Sequence, residues 1–247
     1  MILSISAASD VGCVRSNNED MLLLKDQFIR DSNVESSMEQ EGSIALFAVS
    51  DGMGGHAAGE LASEFTLQRM SAAVANMPVD MDQSGLQAFL SEQITAIHHS
   101  LNTLGKDNPA MQGLGCTFTG LLFYMGQIYM IHIGDSRLYR QRGNFITLLT
   151  KDHTLRNMLN DPSIPANKIA NSFGGGANNI FFDFEELTDR LLINDILLLC
   201  SDGLSGELSD DEIETALSGG ATAKALVDLA HDKGGHDNIS AMVISIQ

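Results

Sequence analysis

The hydrophobic residues of this chain fall into two kinds of pattern. Short runs that are almost wholly apolar, at residues 45–50 and 196–201, indicate strands buried on both faces. Longer stretches repeat apolar residues at helical spacing, as from Ala58 to Met77. Because the strands in the middle of the chain are apolar on both faces, their sheet should be covered on both sides. Further strands are predicted at about residues 3–8, 21–25, 115–124, 128–133, 137–140, 180–185 and 239–246.

Capping signals indicate where several helices begin. The boxes Ser84–Gln87 and Ser209–Glu212 each open a predicted helix, and a short helix is predicted after residues 151–154. His98 and His99 are adjacent, so they point about 100° apart and cannot form a ligand pair spaced by four residues. We interpret both as surface or partly packed residues. His132, between two isoleucines, is more typical of a hydrogen-bonded core histidine than of a metal ligand.

Two segments lack a regular pattern. Residues 31–42 are polar and acidic, which predicts an exposed loop that carries no chemistry. The second segment, residues 160–179, contains Pro162, Pro165 and the triple glycine 174–176. So many residues that interrupt helices and strands indicate a mobile flap.

Both main apolar runs end in a serine followed by an Asp-Gly pair, Asp51-Gly52 in one and Asp202-Gly203 in the other. A lone Asp-Gly pair most often marks a hairpin turn. After the first pair, however, the chain continues at helical spacing, which disfavours a hairpin there. Glu19, Asp135 and Asp237 also lie at the margins of hydrophobic strands. Such placement is expected if several strand ends meet at one rim of a sheet sandwich.

Composition narrows the possible functions. A chain of 247 residues without a Pro/Ser/Gly linker favours one domain, and the net charge of −18 argues against binding nucleic acid or an anionic membrane. Apolar runs are too short for a membrane span, and the first residues lack the basic start of a signal peptide, so the cytoplasm is the expected location. Cys13, Cys116 and Cys200 are too far apart to suggest a zinc motif, and we expect reduced core residues.

The acidic residues at the strand margins point to bound cations. Carboxylates gathered at one rim would raise one another's pKa values unless cations lay between them. Oxygen ligands without a paired His or Cys favour Mg²⁺ or Mn²⁺ over Zn²⁺. The positive charge of these ions would also allow an otherwise acidic site to bind an anionic substrate. The residues therefore predict a two-metal site that directs water at a phosphoryl group.

Six motifs in order resemble those of the metal-dependent type 2C (PPM) serine/threonine protein phosphatases, in particular the short bacterial members. They are Asn18-Glu19-Asp20 with Arg15 before it, Asp51-Gly-Met-Gly-Gly-His56, Gly115-Cys-Thr117, Gly134-Asp-Ser-Arg137, Ser201-Asp-Gly203 and Gly235-His-Asp-Asn-Ile239. The resemblance spans nearly the whole chain. It implies an α+β fold, the αββα sandwich, in which two antiparallel β-sheets pack face to face and are flanked by helix pairs. It also implies a single catalytic domain over residues 1–247, with a flap subdomain at about 153–180.

The resemblance implies which residues bind the metal ions. Asp51 would bridge two Mn²⁺ or Mg²⁺ ions. Asp202 and Asp237 would hold the first ion, and Glu19 with the carbonyl of Gly52 would hold the second.

The remaining motif residues would assist. Asp135 would help to bind a third ion near the flap, and Arg15 would bind the substrate phosphate. Asp20, Asn238 and His56 would lie behind the ligands or act through bound water. Together with the bridging aspartate, Arg15 and Asp20 would form the catalytic set.

The sequence departs from the family pattern in two places. Met53 stands where many eukaryotic members have a histidine proposed to protonate the leaving group, as is common in bacterial members. Water in the site, or His56, would then supply this proton, and water is the first candidate. Residues 172–179 are also richer in glycine than is usual for the flap of this family.

The implied function is hydrolysis of phosphoserine and phosphothreonine in proteins, by direct attack of a water or hydroxide that bridges the metals. Two alternatives stay open: a two-metal phosphatase of small phosphomonoesters, and a catalytically silent relative that binds phosphoproteins. The implied partners are phosphoproteins, as substrates of a cognate bacterial Ser/Thr kinase. The protein is expected to be a monomer.

Overall fold

The protein was analysed as a computed structural model, which describes residues 1–39, 44–54 and 57–247. Two antiparallel sheets of six strands each form the centre of this described part. The first sheet consists of β1 (Ile2–Asp10), β4 (Ser32–Glu39), β10 (Arg137–Arg142), β11 (Phe145–Leu148), β14 (Ile196–Cys200) and β15 (Ile239–Ile246). Its strand order is β11-β10-β14-β15-β1-β4, so the first and last strands of the chain are neighbours.

The second sheet has the order β13-β9-β8-β5-β2-β3, and a smaller sheet of three short strands, in the order β12-β7-β6, extends beside it. The strands of the second sheet are β2 (Met21–Leu24), β3 (Gln27–Ile29), β5 (Ala45–Ser50), β8 (Phe118–Tyr124), β9 (Gln127–Ile133) and β13 (Asp183–Glu186). The small sheet consists of β6 (Gly52–Met53), β7 (Gly115–Cys116) and β12 (Phe173–Gly174). It connects residues directly after β5 with the end of the predicted flap.

Helices cover the outer face of each sheet. The helices of the described residues are α1 (Ala57–Ala75), α2 (Gln83–Asp107), α3 (Leu155–Leu159), α4 (Asp202–Ser205), α5 (Asp210–Ser218) and α6 (Ala223–Asp232), with 3₁₀ turns at Pro109–Met111 and Thr188–Arg190. Of these, α3 lies in the predicted flap and buries no side chain. Helices α1 and α2 share one apolar cluster with the second sheet, and α5 and α6 share another with the first. A third cluster fills the space between the sheets. This layering confirms the predicted αββα sandwich.

The prediction of an exposed loop at residues 31–42 was wrong. Ser32–Glu39 forms the edge strand β4, paired antiparallel with β1, while residues 40–42 lie outside the described ranges. Only Val34 and Met38 of this strand pack against the core between the sheets. An edge strand with one half-covered face needs few apolar residues, so its alternation is too weak to detect in the sequence.

Other local predictions also need correction. Helix α2 begins one residue before the proposed box, and its N-cap is Asp82, whose side chain accepts from the backbone of Gly85. His98 is buried, because its ring fits between α2 and the end of the flap. Cys13 is exposed, whereas the other two cysteines are buried as expected. Strands β3 and β11 were not predicted, and β13 begins three residues later than expected.

Candidate metal centre

The pairing of β2 with β5 brings two acidic positions together. Met21, the first residue of β2, lies opposite Ser50, the last residue of β5. Because the pair is antiparallel, Glu19 just before β2 and Asp51 just after β5 leave the sheet at the same end. Two acids that are far apart in the sequence, Glu19 and Asp51, are thus brought to the same edge of the sheet.

The other sheet repeats this arrangement. Cys200 at the end of β14 lies opposite Ala241 near the start of β15, so Asp202 and Asp237 also emerge together. Asp51 and Asp202 line the same cleft, and the charge of Asp202 acts on the carboxyl group of Asp51. The acids of both sheets thus meet at one edge of the sandwich.

Glycine is required after both aspartates because the chain packs tightly behind them. A Cβ on Gly52 would lie 2.1 Å from the carbonyl oxygen of Gly59 and 2.6 Å from that of Glu19. A Cβ on Gly203 would lie 1.9 Å from the carbonyl oxygen of Asn238. Neither pair forms a hairpin, since the first leads into β6 and the second into α4. Close approach, and not turn formation, explains the two Asp-Gly pairs.

A cleft of about 340 Å³ opens over this edge. Its walls combine residues from the margins of both sheets with two residues from the segment between α3 and β12. The lining residues are Arg15, Ser16, Asn17, Glu19, Asp51, Gly52, Met53, Gly54, Asn167, Ile169, Asp202, Asp237 and Asn238.

The central acids are held where the charged form is disfavoured. Burial raises the pKa of Asp51 well above its usual range, and the charges of Asp20 and Asp202 raise it further. Burial also raises the pKa of Asp202, although its interaction with the carboxyl group of Asp51 acts in the opposite direction. Carboxyl groups in such surroundings bind protons unless metal cations take the place of the protons.

Two further acids have unsatisfied buried oxygens. Burial raises the pKa of Asp20 to about 8, although the hydroxyl of Ser201 donates to its Oδ2 at 2.7 Å. Burial, followed by the charge of Asp202, raises the pKa of Asp135 to about 7. The Oδ1 atoms of Asp20 and Asp135 have no hydrogen-bond partner within the described residues. Because orphaned buried oxygens are costly and every acid here is an oxygen donor, the site fits Mg²⁺ or Mn²⁺.

Arg15 lies at the rim of the cleft. Its Nη2 donates to Oδ2 of Asp237 at 2.7 Å, and 52% of its side chain is exposed. This hydrogen bond raises the pKa of Arg15, and the charges of Glu19 and Asp51 act in the same direction. A fixed cation at the mouth of an acidic cleft is suited to binding an anion.

Asn238 ties the loop between β1 and β2 to the start of β15. Its Oδ1 accepts from the backbone N–H of Glu19 at 2.8 Å. Its Nδ2 donates to the carbonyl oxygens of Val11 and Asn17, both at 2.9 Å.

Met53 lines the cleft. His56 lies outside the described residues.

Sequence reasoning assigned no role to three residues that shape the site. Oγ1 of Thr117 accepts from the backbone N–H of Asp51 at 2.9 Å, and the backbone of Thr117 donates to the carbonyl of Asp51 at 2.9 Å. The Gly115-Cys-Thr117 motif was the available signal. Asn167 and Ile169 also line the cleft. They belong to the predicted flap, where the prolines and glycines indicated an irregular segment but did not indicate which residues reach the site.

A second group of metal-ligating residue types lies apart from the acids. Potential ligand atoms of His132, His153 and Asp183 all lie within 4.8 Å of one another. The His132 ring contacts Oγ1 of Thr119 at 2.9 Å and the carbonyl of Lys151 at 3.2 Å, as expected of a hydrogen-bonded core histidine. We call His132, His153 and Asp183 the imidazole cluster.

Across the described ranges, no helix combines the length and the apolar character needed to cross a membrane.

Comparison with known proteins identifies the family. The sequence model for "Protein phosphatase 2C" matches residues 24–231. The chain is 32% identical to serine/threonine protein phosphatase PstP of Mycobacterium tuberculosis, over 100% of this chain and 45% of that protein. It therefore spans about half the length of that relative.

Solved structures agree with the sequence comparison. The serine/threonine phosphatase of S. agalactiae superposes with a TM-score of 0.84 at 30% identity, covering 99% of this chain and 100% of that one. The catalytic domain of PstP, solved with two manganese ions, superposes with a TM-score of 0.73 at 30% identity, covering 100% and 99%. The chain belongs to the protein phosphatase 2C family.

Proposed function

We propose that this protein is a metal-dependent serine/threonine protein phosphatase. The observation that carries the proposal is the meeting of Glu19, Asp51, Asp202 and Asp237 in one cleft, with Arg15 at its rim. Acids and an arginine placed together in this way can bind cations and a phosphate ester at the same time. The relatives described above are named serine/threonine phosphatases, which supports the same activity.

The acids would hold two Mn²⁺ or Mg²⁺ ions. Asp51 would contact both, Asp202 and Asp237 would hold one, and Glu19 with the carbonyl of Gly52 would hold the other. When bound, the ions would offset the negative charge of the phosphoryl oxygens and lower the pKa of a water molecule, so that it could attack phosphorus as hydroxide. The PstP structure with two manganese ions supports this number.

The surrounding residues would complete the cation and phosphate sites. Asp135, with its orphaned Oδ1, would help to bind a third ion. Arg15 would donate hydrogen bonds from the N–H groups along one edge of its guanidinium to the substrate phosphate and so orient the ester. Asp20, fixed by Ser201, would accept a proton or bind water behind the ligands, and Asn238 would keep the Glu19 segment in place.

Hydrolysis would proceed without a phosphorylated enzyme. Burial raises the pKa of the Cys116 thiol to about 11 and that of the Cys200 thiol to about 12, so neither supplies a thiolate at neutral pH. Met53 cannot donate a proton to the leaving oxygen. Water in the cleft would supply that proton, with His56 as the second candidate.

The proposal extends to the wider organisation of the protein. Residues 1–247 would form a single catalytic domain, and residues 153–180 a flap whose Asn167 and Ile169 contact the substrate beside the phosphate. The substrates would be phosphoserine and phosphothreonine proteins produced by a cognate kinase. We expect the protein to act as a cytoplasmic monomer.

One assay tests the proposal and its alternatives. Hydrolysis of a phosphothreonine peptide and of p-nitrophenyl phosphate would be measured with and without Mn²⁺, for the parent and for Asp51→Asn. Asp80→Asn, which changes the same group at an exposed position, is the matched control. We expect Mn²⁺-dependent hydrolysis of the peptide by the parent and the control only. Turnover of the small ester alone would favour a small-molecule phosphatase, and no turnover at all would favour a silent binding protein.

A further inference from the structure

The imidazole cluster has the spacing of a metal site, but its hydrogen bonds give it another role. Nδ1 of His153 accepts from the backbone N–H of Gly134 at 3.2 Å and from Nδ2 of Asn171 at 2.9 Å. The Asn171 amide is oriented by Phe181, whose carbonyl accepts from Nδ2 at 2.8 Å and whose N–H donates to Oδ1 at 3.2 Å. Two donors therefore point at Nδ1 of His153.

These contacts fix the hydrogen of the neutral ring. Because Nδ1 of His153 accepts two hydrogen bonds, its single N–H must be at Nε2. That N–H donates to Oδ2 of Asp183 at 3.2 Å. A nitrogen that carries a hydrogen has no lone pair for a cation, so Nε2 of His153 is not a metal ligand.

His153 instead links two parts of the candidate metal centre. On one side it holds Gly134, the residue before Asp135, through the ring contact and through a backbone bond from its own N–H to the Gly134 carbonyl at 2.7 Å. On the other side it holds the flap, since the N–H of Ala170 donates to the His153 carbonyl at 2.8 Å. Ile169, the residue before Ala170, lines the cleft.

The ring is also confined by its neighbours. The side chain of His153 is buried, and its ring centroid lies 4.6 Å from that of His132 and 4.7 Å from that of Phe181. With both nitrogens hydrogen-bonded and two rings packed close to it, the imidazole is held in position. A movement of the flap at Asn171 would therefore change the position of Gly134 through this ring.

We propose that His153 is a positioning residue that links the flap to the cation-binding turn at Asp135. Binding of a divalent cation by Asp135 and the position of the flap over the cleft are then coupled through one imidazole. This inference rests on the proposed function in one respect, the role of Asp135 in cation binding. It concerns what orients that aspartate, and not the reaction itself.

Substitutions can separate the two contacts of the ring. His153→Asn places an amide oxygen near the position of Nδ1, so it keeps an acceptor for Gly134 and Asn171. His153→Gln keeps a donor near Nε2 for Asp183 but loses that acceptor. His153→Leu keeps the approximate volume and loses both. The series therefore tests whether the acceptor at Nδ1 sets the position of the Asp135 turn.

Two readouts are measured without turnover. Calorimetric titration with Mn²⁺ reports cation binding, and a tryptophan introduced by Met158→Trp in the exposed part of α3 reports the flap, because the chain has no tryptophan of its own. In the His153→Leu and His153→Gln variants we expect the weakest Mn²⁺ site to lose about tenfold in affinity. The fluorescence change on adding Mn²⁺ should shift to higher concentration by the same factor, while His153→Asn stays within about threefold of the parent.

Asp183 provides a second pair of variants in case those at His153 fail to fold, since its side chain is 45% exposed. Asp183→Ala removes the acceptor that keeps the ring hydrogen at Nε2, so the hydrogen can move to Nδ1 and abolish the acceptor there; both curves should then shift in the same direction. Asp183→Asn keeps an acceptor oxygen and should not shift them. Folded variants of His153 and Asp183 that all bind Mn²⁺ and move the flap as the parent does would overturn the proposal. So would equal losses in His153→Asn and His153→Leu.

The outcome is distinct from that of the proposed function. If the parent hydrolyses no phosphopeptide but its flap responds to Mn²⁺ in the predicted order of variants, the coupling stands and the proposed function fails. If the parent is an active Mn²⁺-dependent phosphatase but His153→Leu retains the parent's binding and fluorescence curves, the function stands and the coupling fails.

Discussion

The candidate metal centre and the imidazole cluster both gather residue types that bind metals, yet they differ in how their polar atoms are satisfied. In the metal centre, buried oxygens of Asp20 and Asp135 lack partners, and carboxyl groups are crowded together. In the imidazole cluster, His153 has a partner for each ring nitrogen. Short distances between ligand atoms are thus a weaker sign of a cation site than buried acceptors that no donor reaches.

The same substitution in both regions should give the largest contrast. Asp51→Asn removes the carboxylate proposed to contact two ions and should lower Mn²⁺-dependent hydrolysis by more than about a hundredfold. Asp183→Asn, which makes the same change in the imidazole cluster, should alter the rate less than about threefold because the amide oxygen still accepts a hydrogen bond. Steady-state kinetics on a phosphothreonine peptide would measure both. Equal losses would remove the distinction between the regions.

Replacement of Arg15 should have the next largest effect. Arg15→Ala removes the cation at the rim and should raise KM for the phosphopeptide by about tenfold, because a charge-assisted contact with phosphate is lost. Arg15→Lys should recover part of this, since it restores the charge but not the two-pronged geometry. Competition by inorganic phosphate gives an independent measure of binding. An unchanged KM in Arg15→Ala would place the phosphate elsewhere in the cleft.

The stability of the metal-free protein should fall as pH rises across the neutral range. Burial raises the pKa of Asp20 from its usual 3.8 to about 8, so between these values the folded state binds the proton that the unfolded chain has released. The free energy of unfolding therefore decreases as pH rises from about 4 to about 8. Urea denaturation with a chelator at pH 6 and pH 8 would measure the decrease.

Two comparisons isolate the contribution of the acids to this pH dependence. Asp20→Asn should flatten the decrease because the amide does not titrate, and Mn²⁺ should stabilise the parent more at pH 8 than at pH 6 because it competes with protons. A pH dependence that is the same with and without Mn²⁺ would argue against proton displacement in the metal centre.

The imidazole cluster should show a smaller pH dependence of opposite sign. Burial lowers the pKa of His132 from 6.5 to about 4. The unfolded chain then binds more protons between these values, so the free energy of unfolding decreases as pH falls from about 6.5 to about 4. His132→Gln should reduce this acid loss relative to the parent in chelator. If the free energy of unfolding fell equally in both proteins as the pH was lowered, His132 would not contribute to this loss of stability.

Much of the architecture could be predicted because it rests on strong local patterns. The apolar runs that end at Ser50 and Ser201 became central strands, and the acids after them lie at one edge of the sandwich. The resemblance supplied the packing of the two sheets, which no local pattern contains.

Other features depend on contacts that no local pattern records. Strand β4 is held by pairing with β1 and has only two partly covered apolar residues. His98 is buried because the flap end folds back onto α2, where the carbonyl of Ala177 lies 3.0 Å from its ring. In the sequence, His153 marked only the start of a short helix, and its link between Gly134 and Asn171 required the tertiary structure.

The position of β15 determines when the residues of the candidate metal centre can first come together. This strand lies between β14 and β1, and it follows directly after Asp237 and Asn238. During synthesis, residues 239–246 leave the ribosome after every other strand of the first sheet, so a growing chain has a vacant position in the middle of that sheet. Until β15 is inserted, the acids that precede it therefore cannot meet those that follow β14 and β5, so the candidate metal centre is the last part of the fold to be assembled.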